Sequence, residues 1–455
     1  MVCIPPSAKY DRTFIENRNL FHVKHCTLQI PKWNKELHSK EGYNVPASKS
    51  ILARDIVLLH RGGMGVDEIR DLLNSRLVPS DFSGDVETLL SALGDPWAHD
   101  CGASGTALRF LTAYFARQEG RHLIKGGTRL SERPMRGLIE VLEASGVEFD
   151  FWGSEYAVPF VLTNRIGAPE YPPVIDARDF PSSQYVSALL LSGCTSQIVL
   201  GGNFQSKGYL DLTIREMERF GIPVKVSGHT VQISNPVATP KVDAFDLRGI
   251  GDWSSAWFLI EHLLLQPALE GISVYGLRAN SGQPDEVFFH RLESRFGLTV
   301  EERPNGLYFR KNKTEELSRE TITVDISQAP DAFIALSCIS SGLGIPLRCT
   351  GTANLRGKES DRISVCAKNI FRLDLGGIEI QTGEDSLVLT PRQSHTDRVE
   401  IDGSGDHRVV MGFSVLAASP CFPGSVVVTD AEAVGKSYPG FWAELFPNTE
   451  LRTHP

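Results

Sequence analysis

The sequence predicts an α/β fold, built from a helix and strand unit repeated about six times and divided between two domains. Three observations carry this expectation. The chain has 455 residues, beyond the ~250–300 at which a single hydrophobic core stops growing. Two kinds of helical pattern alternate along it, with short β-rich runs between them. The first kind returns at intervals of roughly 50–80 residues, a spacing that suggests repeated units rather than one continuous doubly wound sheet.

Helices of the first kind are apolar and open on small, polar or charged residues, at Ser48, Ser104, Ser182, Asp252, Asp331 and Asp406. Such helices are buried on most sides, and only their first turns are polar. The second kind is amphipathic and runs over 85–94, 132–146, 209–221, 285–297 and 361–376. Each closes on a glycine, read as a left-handed C-cap. The runs 198–200, 224–226, 231–233, 322–324 and 426–428 are rich in Val and Ile and read as strands.

Composition narrows the partners. A content of 41% hydrophobic and 22% charged residues is that of a folded globular protein, and a formal charge of -9 gives no general attraction for nucleic acid or anionic membrane. The longest mostly apolar stretches, such as 186–194, fall short of the ~20 residues that span a bilayer. The first residues hold no apolar core, and Asp11 and Glu16 argue against a transit peptide, so the expected compartment is the cytoplasm. The eight cysteines, from Cys3 to Cys421, form no C-x-x-C pair and have no histidine at metal-ligand spacing. Reduced thiols and no metal are expected.

An acidic protein that binds anions must do so with local cations. A helix N-terminus offers free N–H groups and a partial positive charge, so several polar openings aimed at one space would make an anion site. Lys49, Arg54, Arg109, Arg129, Lys358, Arg362, Arg408 and Lys436 lie at or near those openings, and arginine forks suit phosphate and carboxylate. For any one of them taken singly, a solvated surface charge is the ordinary reading. Neither G-x-x-x-x-G-K-S/T nor a G-x-G-x-x-G after a strand occurs, which removes the usual ATP and dinucleotide cradles. Ser182 and Ser183 fit an N-cap pair or a phosphate contact equally. Asp331 and Glu359 adjoin the cation-rich segments, where one could accept a proton and the other donate one, although capping or ion pairing accounts for either alone. His407 reads as a hydrogen-bonded structural residue.

The ordered motifs Pro46-Ala-Ser-Lys-Ser-x-x-x-Arg54, Ser104-Gly-Thr-Ala-Leu-Arg109, Arg129-x-x-Glu-Arg-Pro134, Ser182-Ser-Gln184, Ser206-Lys-x-Tyr209, Pro330-Asp-Ala332, Asn354-x-Arg-x-Lys-Glu-Ser-Asp-Arg362, Asp406-His-Arg408 and Lys436-Ser-Tyr-Pro439 resemble the signature of the 5-enolpyruvylshikimate-3-phosphate synthase family, within the enolpyruvyl transferases. The resemblance covers about residues 40–445 and finds no counterpart for the N-terminal extension. It departs from the family pattern at Ala47, Ala103 and Phe110.

The resemblance implies two similar domains, each of three βαβαββ units, closing an inside-out α/β prism around a cleft. Residues 1–47 and 251–455 would form one discontinuous domain and 48–250 the other. It implies transfer of the enolpyruvyl group of phosphoenolpyruvate to the 5-hydroxyl of shikimate 3-phosphate through a tetrahedral ketal, with no metal or organic cofactor, by a cytoplasmic monomer. Lys49, Gly105, Arg129, Gln184, Arg362, Arg408 and Lys436 would hold phosphoenolpyruvate. Lys49, Ser50, Arg54, Ser182, Ser183, Gln184, Ser206, Tyr209, Asp331, Asn354 and Lys358 would hold shikimate 3-phosphate. Glu359 would be the proton donor, and Asp331 with Lys49 would take the hydroxyl proton.

Two rival functions are set beside this one. UDP-N-acetylglucosamine enolpyruvyl transferases share the donor, but carry Lys-Asn where this chain has Lys49-Ser50 and a cysteine loop that Cys101 does not match. A non-catalytic homologue that senses phosphorylated metabolites would be expected to keep fewer of the charged residues.

Overall fold

A computed structural model describes residues 26–32, 42–77, 82–165, 174–202, 204, 206–246, 250–312, 317–381, 385–447, 449 and 452–453. Cys3 and the N-terminal extension lie outside the described residues.

Strands β1 (Cys26–Ile30) and β2 (Gly42–Asn44) precede three helices, α1 (Lys49–Arg61), α2 (Val66–Asn74) and α3 (Gly84–Gly94). A recurring unit follows. Its first copy runs β3 (Ala98–Asp100), α4 (Gly105–Phe115), β4 (Gly120–Lys125), α5 (Thr128–Ser131), α6 (Arg136–Glu143), β5 (Glu148–Phe151), β6 (Phe160–Asn164). The second runs β7 (Val174–Ala177), α7 (Ser183–Ser192), β8 (Gln197–Leu200), α8 (Lys207–Arg219), β9 (Val224–Ser227), β10 (Thr230–Ile233). The next copy starts from β2 and continues with α9 (Trp253–Leu265), β11 (Gly271–Tyr275), α10 (Pro284–His290), β12 (Leu298–Arg303) and β13 (Gly306–Lys311). After it come β14 (Ile322–Asp325), α11 (Phe333–Leu343), β15 (Leu347–Thr350), α12 (Arg362–Arg372), β16 (Gly376–Ile380) and β17 (Ser386–Pro391). The last copy holds β18 (Arg398–Ile401), α13 (His407–Ala418), β19 (Ser425–Val428), α14 (Phe441–Leu445) and β20 (Arg452–Thr453), and borrows β1 as its fourth strand.

Every four-stranded sheet obeys one rule. The first strand is parallel to the second, the second antiparallel to the fourth, and the fourth antiparallel to the third, as in β7, β8, β10 and β9. A parallel pair requires a crossover, and the apolar helix supplies it. The amphipathic helix then links the second strand to the third. The alternation of helix types in the sequence is this unit seen end on. Among the described residues no four-stranded sheet accompanies α1, α2 and α3, so a sheet is seen in five of the expected units.

Four of the six polar openings become side-chain N-caps, as does Asp361; the Ser48 side chain makes no capping hydrogen bond, and Asp331 lies in the 3-10 turn before α11. Side chains of Ser104, Ser182, Asp252, Asp361 and Asp406 accept hydrogen bonds from N–H groups in the first turns of α4, α7, α9, α12 and α13. Although α10 ends at His290 and Gly376 is the first residue of β16, Gly146, Gly221, Gly297 and Gly376 have positive φ. Gly94 does not; it is the last residue of α3, and Asp95 leaves in an extended conformation. The helix expected over 132–146 starts only at Arg136, because Pro134 has no N–H to give and holds Arg133 away from helical angles.

Buried apolar side chains form two clusters. One draws only on residues 47–245, the other on 26–45 together with 253–446. The chain passes between them twice at one place, where Ser48 N donates to Ile250 O (2.7 Å), Asp252 N donates to Pro46 O (2.9 Å) and Ala47 bridges Gly251. A Cβ on Gly251 would lie 2.6 Å from the Gly276 backbone, so the second crossing admits no side chain.

Glu261 on α9 is fully buried, and neither of its carboxylate oxygens has a hydrogen-bond partner among the described residues. Burial pushes its carboxyl well above the usual range. The folded protein therefore holds this proton more tightly than the unfolded chain, and the stability it contributes below pH ~4.3 is lost as pH rises. Glu261→Met keeps the volume and removes the acid. It is expected to raise stability by about 1–3 kcal/mol at pH 8 and by much less at pH 4, read by urea unfolding at both values.

Candidate active site

The polar first turns converge on one cavity of about 260 Å³ lined by both clusters. From the 47–245 side come Lys49 and Ser50 at the start of α1, Gly105 at the start of α4, Ser182, Ser183 and Gln184 at the start of α7, and Ser206 and Tyr209 at the start of α8. Facing them are Asp331 in the 3-10 turn before α11, Asn354, Lys358 and Glu359 in the loop before α12, and then Arg362, His407 and Arg408. Helix N-termini aimed at a common space give it a positive potential before any side chain is counted. The Asp252 opening of α9 does not reach the cavity wall; Ser254 behind it accepts a 3.0 Å hydrogen bond from Arg408.

Three carboxylates organise the cations. Arg362, 1% exposed, is the hub: Nε binds Asp406 Oδ2 (2.9 Å), Nη1 binds Asp331 Oδ1 (2.8 Å) and Nη2 binds Glu359 Oε2 (3.0 Å). Asp331 also receives Lys358 (3.2 Å) and Arg408 (3.0 Å), and Glu359 receives Lys436 (2.7 Å). Burial alone would raise both acids. For Asp331 the opposing charges of Arg408, Lys358 and Arg362 prevail and hold it well below the usual carboxylate range. For Glu359 the same is done by Lys436, Arg362 and Arg133. Glu359 in this setting is a carboxylate. To donate a proton it must first gain one, which requires an anion that takes over Lys436 and Arg362.

The opposite wall is set by hydrogen bonds. The Gln184 amide is oriented by Arg109 Nη1 on its oxygen (2.8 Å) and by Thr106 Oγ1 on its nitrogen (3.1 Å). Arg54 is buried with three acceptors already engaged, Thr213 Oγ1, Ser50 O and Tyr209 O, and it lies over the Phe110 ring at 5.7 Å. Two of its five N–H groups remain for a ligand. Phe110, a departure from the family pattern, thus supports Arg54, whereas Ala103 is exposed and off the wall. Ser206 is held at φ 57 by its N–H on Ser327 O (3.0 Å), and its hydroxyl accepts from Asn354 (3.4 Å) across the cavity. Lys49 pairs with Asp85 at 2.8 Å.

Arg129 stands outside the cavity. Its side chain is 48% exposed and does not line the cavity; it binds Glu132 Oε2 (2.5 Å), Glu359 O (3.0 Å) and Lys358 O (3.3 Å) from outside. Arg133, four residues on, occupies the wall instead. A Cβ on Gly105 would fall 2.3 Å from Arg133 Nη1 and 2.6 Å from Arg109 Nη1, so both guanidinium groups crowd that glycine. Lys436 is not on the wall but stands directly behind Glu359.

Two further wall residues have no place in the sequence reading of the site. Asp85 looks like an ordinary acid in the first turn of α3. His407, read as hydrogen-bonded, has no hydrogen-bond partner on either ring nitrogen among the described residues. Burial, then Lys49 and Arg408, hold it well below the usual histidine range, so it is neutral at pH 7.

The chain has known relatives. The family model of EPSP synthase (3-phosphoshikimate 1-carboxyvinyltransferase) matches residues 82–445. A 3-phosphoshikimate 1-carboxyvinyltransferase of Methanoculleus marisnigri is 32% identical over 354 residues, covering 76% of this chain and 78% of its own length. One from Cellvibrio japonicus is 30% identical over 428 residues, covering 89% and 96%. The fold is that of an Acinetobacter baumannii EPSP synthase (TM-score 0.62, 22% identity, 94% of this chain and 100% of that one). An enolpyruvyl transferase from Streptomyces tendae is similar in the same way (TM-score 0.64, 14% identity, 95% and 100%). With the family model spanning most of the chain and relatives at this identity covering three quarters or more of it, the chain belongs to the EPSP synthase family.

Proposed function

We propose that the protein transfers the enolpyruvyl group of phosphoenolpyruvate to the 5-hydroxyl of shikimate 3-phosphate and releases phosphate. One observation carries this reading: a single cavity gathers cations and helix N-termini from both apolar clusters around two carboxylates, as two polyanionic substrates and a proton exchange require.

In the addition step the 5-hydroxyl oxygen bonds to C2 of phosphoenolpyruvate, Glu359 gives a proton to the methylene carbon, and Asp331 with Lys49 takes the hydroxyl proton. The tetrahedral ketal then loses phosphate as its C–O bond breaks, and the new methyl returns a proton to become methylene. Lys49, Gly105, Arg133, Gln184, Arg362, Arg408 and Lys436 hold phosphoenolpyruvate; Arg133 takes the role expected of Arg129. Ser50, Arg54, Ser182, Ser183, Ser206, Tyr209, Asn354 and Lys358 hold shikimate 3-phosphate together with Asp331. Substrate anions that draw Lys436 and Arg362 away from Glu359 raise its proton affinity, which gives a reason for the donor to be charged until the site fills. The two clusters support a division into domains 1–47 with 251–455, and 48–250, although Ala47 packs in the second cluster, and the enzyme works as a cytoplasmic monomer. Among the described residues no helix is long and apolar enough to cross a membrane.

The deciding measurement is phosphate release from phosphoenolpyruvate with shikimate 3-phosphate, run beside the same assay with UDP-N-acetylglucosamine as acceptor. Release with shikimate 3-phosphate alone is expected. Release with the nucleotide sugar alone would reassign the acceptor, and silence with both would favour a sensor. In the same assay Arg133→Ala is expected to lower kcat/KM for phosphoenolpyruvate by about 10–100-fold through loss of charge-assisted hydrogen bonds, and Arg129→Ala by about threefold or less.

A further inference from the structure

The Tyr209 oxygen lies 3.1 Å from Oδ2 of Asp331 and 3.2 Å from Oδ2 of Asp285. A phenol has one proton to give, so it cannot satisfy two ionised carboxylates. One of the two acids must carry a proton, and their surroundings decide which. Asp331 receives Arg362, Arg408 and Lys358 at 2.8–3.2 Å and is ionised. Asp285, in the first turn of α10, is 2% exposed; its Oδ1 has no hydrogen-bond partner and it forms no ion pair among the described residues. The charged and titratable groups facing it are Tyr209 from α8, Asp331 from the turn before α11, Arg408 from α13 and Asp252 from the cap of α9. Two of these are acids, and the one cation is already bound to Asp331. Burial, followed by the charge of Asp331, pushes the Asp285 carboxyl up to about 7.

We propose that Asp285 is a positioning residue for the transfer reaction: its carboxylic acid donates to the Tyr209 oxygen, which fixes the single Tyr209 proton on Oδ2 of Asp331. This rests on the functional reading above and adds to it. With Oδ2 held by Tyr209 and Arg408, Oδ1 is the oxygen that exchanges Lys358 and Arg362 for the substrate hydroxyl. Loss of the Asp285 proton sets two carboxylates competing for one phenol proton and puts a second negative charge beside Asp331. Turnover therefore falls as Asp285 ionises.

The test is the pH profile of kcat, from about pH 6 to 8.5, for the wild type, Asp285→Asn and Asp285→Ala. Asparagine does not titrate and still offers an N–H to Tyr209; alanine offers nothing. Substrate phosphates titrate alike in all three proteins, so the contrast between profiles isolates residue 285. The wild type is expected to lose turnover above pH ~7 beyond the decline that Glu359 imposes on all three proteins, Asp285→Asn to lack that added loss and keep only the shared decline, and Asp285→Ala to be about tenfold slower throughout with KM for shikimate 3-phosphate little changed. A profile for Asp285→Asn that superimposes in shape on the wild type overturns the proposal, as does equal impairment of Asn and Ala. Infrared difference spectra of the wild type between the same pH values give a readout that needs no activity: a protonated-carboxyl C=O band must disappear as pH rises, and must be absent from the change in Asp285→Asn. No such loss in the wild type overturns the proposal even if the enzyme is active. An inactive wild type that shows the band change refutes the functional reading and leaves the Asp285 proton in place.

Discussion

Arg362→Ala is expected to abolish measurable phosphate release and to lower stability by about 3–5 kcal/mol, the cost of leaving buried charges without their partner. Arg362 makes contact with Asp331, Glu359 and Asp406 at once, and all three acids depend on it. Asp406 in turn caps α13 through Arg408 N (3.0 Å), so the loss spreads to the helix that presents His407 and Arg408. Arg362→Lys separates the two effects. A lysine supplies one charge at one point and cannot span three carboxylates, so part of the stability is expected to return while turnover stays about 100-fold or more below the wild type. Urea unfolding and phosphate release on the two variants check both parts; near-normal turnover in either variant would remove Arg362 from the centre of the site.

Glu359→Gln has the second largest expected effect, a fall in kcat of about 10²–10⁴-fold, the usual contribution of a general acid. Its signature is the direction of KM. The amide removes a negative charge from among Lys436, Arg362 and Arg133, which leaves those cations freer to hold phosphoenolpyruvate, so KM for that substrate is expected to stay level or fall. A rise in KM with kcat preserved would make Glu359 a binding residue instead. The wild type adds a check in pH. A donor that must be protonated works less well as pH rises, and saturating phosphoenolpyruvate, by engaging Lys436 and Arg362, is expected to move that limb to higher pH.

The fold class was legible because the unit writes itself into the chain: a buried crossover helix and an exposed return helix differ in pattern, and Ser104, Ser182, Asp252 and Asp406 mark where the buried ones begin. Strand order was not legible, since nothing local in β9 or β10 records that the fourth strand sits beside the second. The floor of the site was legible where residues open helices. Arg129 and Arg133 show the limit. They stand four residues apart in one motif, and what separates them is Pro134, which turns Arg133 inward and leaves Arg129 on the short exposed helix α5. Asp85 and Asp285 escaped for another reason. An acid in the first turn of a helix complements the helix dipole and needs no further explanation until the tertiary structure places Lys49 against one and Tyr209 against the other.

The borrowed strand β1 bears on how the protein is made. The apolar cluster of residues 47–245 is continuous in sequence and can close while the ribosome is still at work. The other cluster leaves β1 waiting until α13 and β19 emerge, roughly 400 residues later, or ~20–80 s at ordinary elongation rates. During that interval β1, whose neighbours in the finished sheet are β19 and β20, has no partner. An unpaired strand with an apolar face is a template for the wrong neighbour. The nascent chain is thus most exposed to aggregation at its oldest end, and slower translation of the last third should lower soluble yield more than slower translation of the middle.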